Sequence, residues 1–155
     1  MNKAIEFKNI TKSYDKLPVI KNTSFEVNEG EITCLLGPSG SGKTTLFKLA
    51  AGIINPDQGE ISYEEGLRKS YVFQSPRLLP WKTVEENIIF AQENYLNTDK
   101  AKKIREKLLK LNGLGDFKDS YPSQLSGGMK QRVEIIRALS IWPDLLLLDE
   151  PFKSV

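Results

Sequence analysis

The run Gly37-Pro38-Ser39-Gly40-Ser41-Gly42-Lys43-Thr44, set directly after the apolar stretch Ile32 to Leu36, constrains this chain more than any other segment. Glycine is needed where successive backbone N–H groups turn toward one centre with no Cβ in the way. A helix starting just beyond adds a favourable field for an anion. Paired glycines followed by a lysine and a hydroxyl residue, lying between a strand and a helix, match the pattern that cradles phosphate. In that reading Lys43 reaches the β- and γ-phosphates of a nucleotide, and the Thr44 hydroxyl serves Mg²⁺. The alternative is an ordinary Gly-Ser turn. The apolar residues before the run, expected to form a buried strand Glu31 to Leu36, and the helical spacing of Leu46, Leu49 and Ala50 after it argue against that.

With 155 residues the chain is long enough for one domain, which buries roughly 70% of the surface its unfolded form exposes. Its 22 Lys and Arg against 20 Asp and Glu leave a formal charge of +2, spread along the sequence, which argues against a nucleic-acid partner. The single cysteine, Cys34, excludes an internal disulfide and is expected to pack in the strand as a small hydrophobe. The N-terminal residues mix charge with alternating apolar positions and do not resemble an export signal. No apolar run approaches the length that spans a bilayer, so a cytoplasmic, soluble chain is expected. The absence of histidine removes imidazole chemistry from consideration.

Period-2 patterning at Ile5, Phe7 and Val19 to Val27 predicts a β-rich N-terminal section. Gly52 and Asn55-Pro56-Asp57 mark turns, and Gly59 to Tyr63 and Ser70 to Phe73 read as further strands, leaving Gln74 just past a strand end. Thr83 and Glu86 form a capping box ahead of Ile88 and Ile89. Ala101, Ile104, Leu108 and Leu111 predict an amphipathic surface helix closed near Asn112-Gly113. Another helix is expected from about Gly127 to Ile141, ending before Pro143. The four leucines Leu145 to Leu148 fit a strand covered on both faces, as in a parallel sheet flanked by helices.

Asp149 and Glu150 follow that strand and emerge at its carboxyl end, where open parallel sheets place their ligands. One of two adjacent carboxylates can hold Mg²⁺ while the other orients and deprotonates a water for in-line attack on a γ-phosphate. Leu125-Ser126-Gly127-Gly128-Met129-Lys130-Gln131 is a second glycine-rich helix start, offering a hydroxyl and N–H groups to an anion.

Taken in order, the phosphate loop, Gln74, the LSGGMKQ run and LLLLDEP resemble the ATP-binding subunit of ABC transporters, and the match covers nearly the whole chain. The resemblance implies an α/β fold, a P-loop NTPase core of ABC type with an N-terminal antiparallel β section and a helical signature subdomain at about 75–140, all within one domain. It implies ATP hydrolysis coupled to import of a small solute, with ATP and Mg²⁺ as cofactors. Gly37, Pro38, Ser39, Gly40, Ser41, Gly42, Lys43, Thr44 and Thr45 correspond to the Walker A loop, Asp149 to the Walker B aspartate and Glu150 to the glutamate base. Gln74 corresponds to the Q-loop glutamine that senses Mg²⁺ and the water, and Tyr14 to the ring that stacks on adenine. Ser126, Gly127 and Gly128 correspond to the signature that caps the γ-phosphate held by the other subunit of a head-to-tail homodimer. Catalysis is then assigned to Glu150, Lys43 and Gln74, and metal binding to Thr44, Gln74 and Asp149.

The implied partners are transmembrane permease subunits and a solute-binding protein, placing the chain peripherally on the inner face of the cell membrane. Pro76 to Trp81 sets Leu78, Leu79 and Trp81 close together, either as a groove for a partner helix or as part of the helical subdomain's core. With Trp81 to Asn87 the segment is similar to importer ATPases for nitrate, taurine and alkanesulfonates. Glu134 departs from the family, which usually has a small apolar residue there. The chain also stops at Pro151-Phe152-Lys153-Ser154-Val155, whereas family members continue through the D-loop aspartate, another strand and a switch histidine. In the family that next strand inserts between those ending at Leu36 and Leu148. The chain alone is therefore expected to show little turnover and low thermal stability, and a nucleotide-binding protein without turnover is the alternative function. A soluble ABC protein of translation or repair would carry tandem cassettes or a coiled-coil insertion, and neither is present.

Overall fold

The alternating apolar residues of the N-terminal section form a long antiparallel hairpin, β1 (Lys3–Tyr14) and β2 (Leu17–Asn28), in a computed structural model that describes residues 3–151. Residues 152–155, including the end of the run that follows Glu150, lie outside the described residues. β3 (Gln58–Tyr63) pairs with the other edge of β1, giving an antiparallel sheet of order β2-β1-β3. Phe7 stands opposite Phe25 on one side and Ile61 on the other, and the Phe7 and Phe25 rings stack at 4.2 Å. Both β1 ladders shift register near Asn9, whose φ is 52°. Gly59, at φ 88°, approaches the chain there so closely that a Cβ would collide with the carbonyls of Lys8 and Asn9. Only glycine fits such a crossing.

The chain divides into two compact units between Lys69 and Ser70. The first holds this sheet and α1 (Lys43–Ala51), which ends at Gly52 with φ 73° and its N–H donated to the Leu49 carbonyl. In the second, β4 (Lys69–Val72) pairs with β5 (Leu145–Leu148), and the Asp149 N–H donates to the Val72 carbonyl at 3.0 Å. Leu145 and Leu147 are buried while Leu146 and Leu148 are half-buried.

Three helices complete the second unit: α2 (Val84–Gln92), α3 (Thr98–Leu111) and α4 (Gly127–Leu139). The Thr83–Glu86 capping box is made in both directions, at 3.2 and 2.7 Å. Val84, Ile88, Leu109, Leu114, Leu125, Val133 and Ile136 form a continuous apolar core. The buried face of α3 centres on Ala101, Arg105 and Leu109, with the expected Ile104 and Leu108 half-buried beside it and Leu111 70% exposed. Arg105 tolerates burial because Glu85 accepts from its Nε at 2.8 Å and Gln92 from its Nη1 at 3.0 Å.

The expected strand Glu31 to Leu36 is not formed. Residues 31–38 have no regular structure, and Ile32 and Leu36 are 96% and 92% exposed. Cys34, expected to be packed, is exposed as well. A buried strand requires neighbours for its edge groups, and among the described residues neither sheet includes this segment. Its apolar composition encodes a strand, but pairing is a non-local event. No helix among the described residues is long and apolar enough to cross a membrane.

Candidate active site

In the first unit the loop ahead of α1 is shaped by glycine. Gly40 and Gly42 lie at φ 81° and 92°, and at Gly42 a Cβ would also meet the Ile20 and Val19 side chains at 2.9 and 3.1 Å. Gly42 is the N-cap of α1, and no side chain caps that helix. Its first-turn N–H groups, those of Lys43, Thr44 and Thr45, therefore form a positive helix end suited to an anion. Lys43 curls over the same loop, its Nζ donating to the Gly37 and Pro38 carbonyls at 2.8 and 2.9 Å. Ser39, Ser41 and Thr44 are exposed.

Tyr14 ends β1 with its side chain 43% exposed, and the Lys12 ammonium lies 6.0 Å from its ring centroid. Asp57 braces that strand end, accepting from Lys12 Nζ at 2.6 Å and from the Ser13 N–H at 2.7 Å. The Lys12 contact, with the backbone bond, holds the Asp57 carboxyl below its usual range.

The second unit brings Gln74, Asp149 and Glu150 together at the β4 and β5 ends. Asp149 is 3% exposed, and its Oδ2 accepts from the Tyr71 hydroxyl at 3.2 Å. Burial, reinforced by the Asp149 charge, pushes the Tyr71 hydroxyl well above its ordinary range, so it remains a donor. Glu150 is exposed, in the left-handed region at φ 48°, and accepts from Gln74 Nε2 at 2.8 Å. Two adjacent carboxylates thus have opposite surroundings. A non-glycine residue held at positive φ is a strain that clusters at functional sites.

Ser126 caps α4, its Oγ accepting from the Met129 N–H at 3.2 Å, with Gly127 and Gly128 in the first turn. In the Pro76 to Trp81 segment Leu78 packs on the helical core, as one of the two sequence readings expects, and Trp81 is 69% exposed. Asn87 fixes this segment, accepting from the Leu79 N–H at 2.8 Å and donating to the Leu79, Lys82 and Thr83 carbonyls. Sequence reasoning passed over Asn87, Tyr71 and Asp57. The one local signal for Asn87 is an amide directly before the apolar pair Ile88 and Ile89.

Among the described residues no group of three or more His, Cys, Asp or Glu could hold a metal ion. The oxygen donors that the second unit brings together are the Gln74 amide and the Asp149 and Glu150 carboxylates, and the first unit offers the exposed Thr44 hydroxyl. A hard-oxygen set with few protein ligands fits Mg²⁺, which keeps several waters and binds chiefly through phosphate.

The family profile described as "ABC transporter" matches residues 20–153. A probable sulfate/thiosulfate import ATP-binding protein of Chlorella vulgaris is 41% identical over 162 residues, covering 98% of this chain and 69% of that protein. An aliphatic sulfonates import ATP-binding protein of Agrobacterium fabrum is 38% identical over 152 residues, with 98% of this chain and 55% of the relative covered. The chain thus spans between about half and two thirds of these relatives' length. Among solved structures, a dimeric ATP-binding cassette in a post-hydrolysis state bound to ADP and Pi matches with a TM-score of 0.86 and 30% identity, over 97% of this chain and 75% of that one. The ordered motifs, the α/β architecture with its antiparallel N-terminal sheet and helical section, and these matches show that the chain belongs to the ABC transporter family, as its ATP-binding ATPase domain.

Proposed function

We propose that this chain binds ATP with Mg²⁺ at residues 37–44 and hydrolyses it to ADP and phosphate to energise an importer. The observation that carries the hydrolytic part is the Gln74–Glu150 hydrogen bond of 2.8 Å, which sets an exposed carboxylate beside the buried Asp149. A water oriented by Gln74 and Glu150 attacks the γ-phosphorus, the bond to the β-phosphate oxygen breaks, and Glu150 takes the water's proton. Lys43 and the loop N–H groups stabilise the charge that moves onto the phosphate oxygens. Mg²⁺, when bound through Thr44 and Asp149, would supply further neutralisation of the triphosphate's charge. The Tyr14 ring stacks on adenine, a role that asks only for a π-face.

The names of the relatives favour sulfate or a sulfonate as the transported solute, with nitrate and taurine as the other members of that solute class. In this reading the chain works on the inner face of the membrane, against permease subunits supplied by a solute-binding protein. The domain assignment proposed is one ABC ATPase domain with a helical subdomain at about 75–140. A second reading, nucleotide binding without turnover, is favoured by the exposed 31–36 segment, which has no strand partner among the described residues.

The dimeric relative supports a shared site in which Ser126 to Gly128 of one copy close on the nucleotide of the other. Mixing a Lys43→Ala subunit with a Ser126→Arg subunit should leave one competent site of two, at about half the wild-type phosphate release or less, while each variant alone is inactive. Wild-type rates from either variant alone contradict the shared site.

A further inference from the structure

Glu134, the departure in the middle of α4, is 1% exposed. A carboxylate so buried is costly unless donors surround it. Here its Oε2 accepts a short hydrogen bond from the Arg77 N–H, and its Oε1 accepts a longer one, 3.5 Å, from the Phe73 N–H. Arg137, one turn along α4, places Nη2 at 3.5 Å from the same Oε1, and Arg77 adds a second positive charge from the loop. Burial still raises the Glu134 carboxyl above its ordinary range, with the two backbone donors and both arginines opposing that rise.

The two amides are the ends of one short loop, 73–77, which is further closed by the Arg77 guanidinium lying 4.2 Å from the Phe73 ring. That loop carries Gln74, an exposed side chain whose amide reaches Glu150. An exposed glutamine on an untethered loop has many conformations to lose before it can orient a water. Fixing both loop ends to a helix removes most of that freedom before substrate arrives.

We propose that Glu134 is a positioning residue for Gln74: its single carboxylate clamps both ends of the 73–77 loop onto α4 and thereby holds the Gln74 amide against Glu150. The clamp also joins the Gln74 loop to the helix that begins at Ser126. The consequence for turnover rests on the hydrolytic reading above, while the clamp itself does not.

The experiment compares the chain with Glu134→Ala, Glu134→Gln, Gln74→Ala and the Glu134→Ala/Gln74→Ala pair, by amide hydrogen exchange and by phosphate release from Mg-ATP. Glu134→Ala should speed exchange about 10-fold or more at Arg77, by less at Phe73, and leave the Val133 and Ile136 amides unchanged. It should lower kcat about 10-fold with KM within about 2-fold of wild type, and have no further effect once Gln74 is alanine. Glu134→Gln keeps one acceptor and the side chain's shape and should fall between, and it carries the comparison should the alanine variant not fold. Unchanged exchange at Arg77, or a loss of kcat that persists undiminished in the Gln74→Ala background, overturns the proposal. A wild-type chain with too little turnover to compare leaves the exchange data to decide the clamp.

Discussion

Replacing Lys43 with alanine is expected to weaken Mg-ATP binding by at least about 30-fold, roughly 2 kcal/mol, in a calorimetric titration. The Lys43 ammonium already sits over the loop, donating to the Gly37 and Pro38 carbonyls. A triphosphate entering the loop exchanges those neutral acceptors for charged ones, and hydrogen bonds to ionised acceptors are about twice as strong. Alanine removes the only side-chain cation in residues 37–44 and leaves the helix N-terminus to hold the anion alone. Tyr14→Ala should cost less, about 1 to 2 kcal/mol for a lost ring stack. Equal affinities for wild type and Lys43→Ala would take the loop out of the binding account.

In a chain extended by the C-terminal segment that family members carry, Glu150→Gln should lower phosphate release by about 10² to 10⁴, the usual worth of a positioned general base, while ATP still binds. Glutamine is nearly isosteric, and its carbonyl oxygen can still accept from Gln74 Nε2, so the pair seen at 2.8 Å persists. The amide cannot take the water's proton. Chemistry is lost with geometry kept, and ATP trapped across two subunits should lengthen the lifetime of a dimer. Phosphate release near the wild-type rate from Glu150→Gln would remove Glu150 as the base.

Local patterns carried most of what the sequence disclosed. The Thr83–Glu86 box, the glycines of the phosphate loop and the Ser126 cap are short-range features, and all appear in the structure at or near their expected bounds. The helix expected to reach Ile141 ends at Leu139, with the Ser140 N–H donating to the Ile136 carbonyl. What the sequence concealed is long-range. Glu134 stands out in the sequence only as a departure from the family's small apolar residue, and its role shows once Phe73 and Arg77 are brought to it across the fold. Arg105 likewise reads as the solvent face of α3 until Glu85 and Gln92 surround it. Glu31 to Leu36 shows the opposite failure. Its composition is that of a strand, but composition supplies no ladder partner, and Ile32 and Leu36 stand in solvent.

The pairing of Gln74 with Glu150 was only half legible. Both residues were found by the order of the motifs, but the left-handed backbone at Glu150 and the Tyr71 bond that turns Asp149 inward belong to the folded chain. Those two features give adjacent carboxylates different surroundings.

Amide hydrogen exchange across residues 37–44, measured with and without saturating Mg-ATP, tests most directly the claim that this chain holds nucleotide through its glycine-shaped loop. Exchange at Gly40, Ser41, Gly42, Lys43 and Thr44 should slow by about 10-fold or more on adding Mg-ATP, with the β1 and β2 amides unchanged. Exchange at those positions that Mg-ATP leaves unaltered, or protection appearing only elsewhere in the chain, would contradict it.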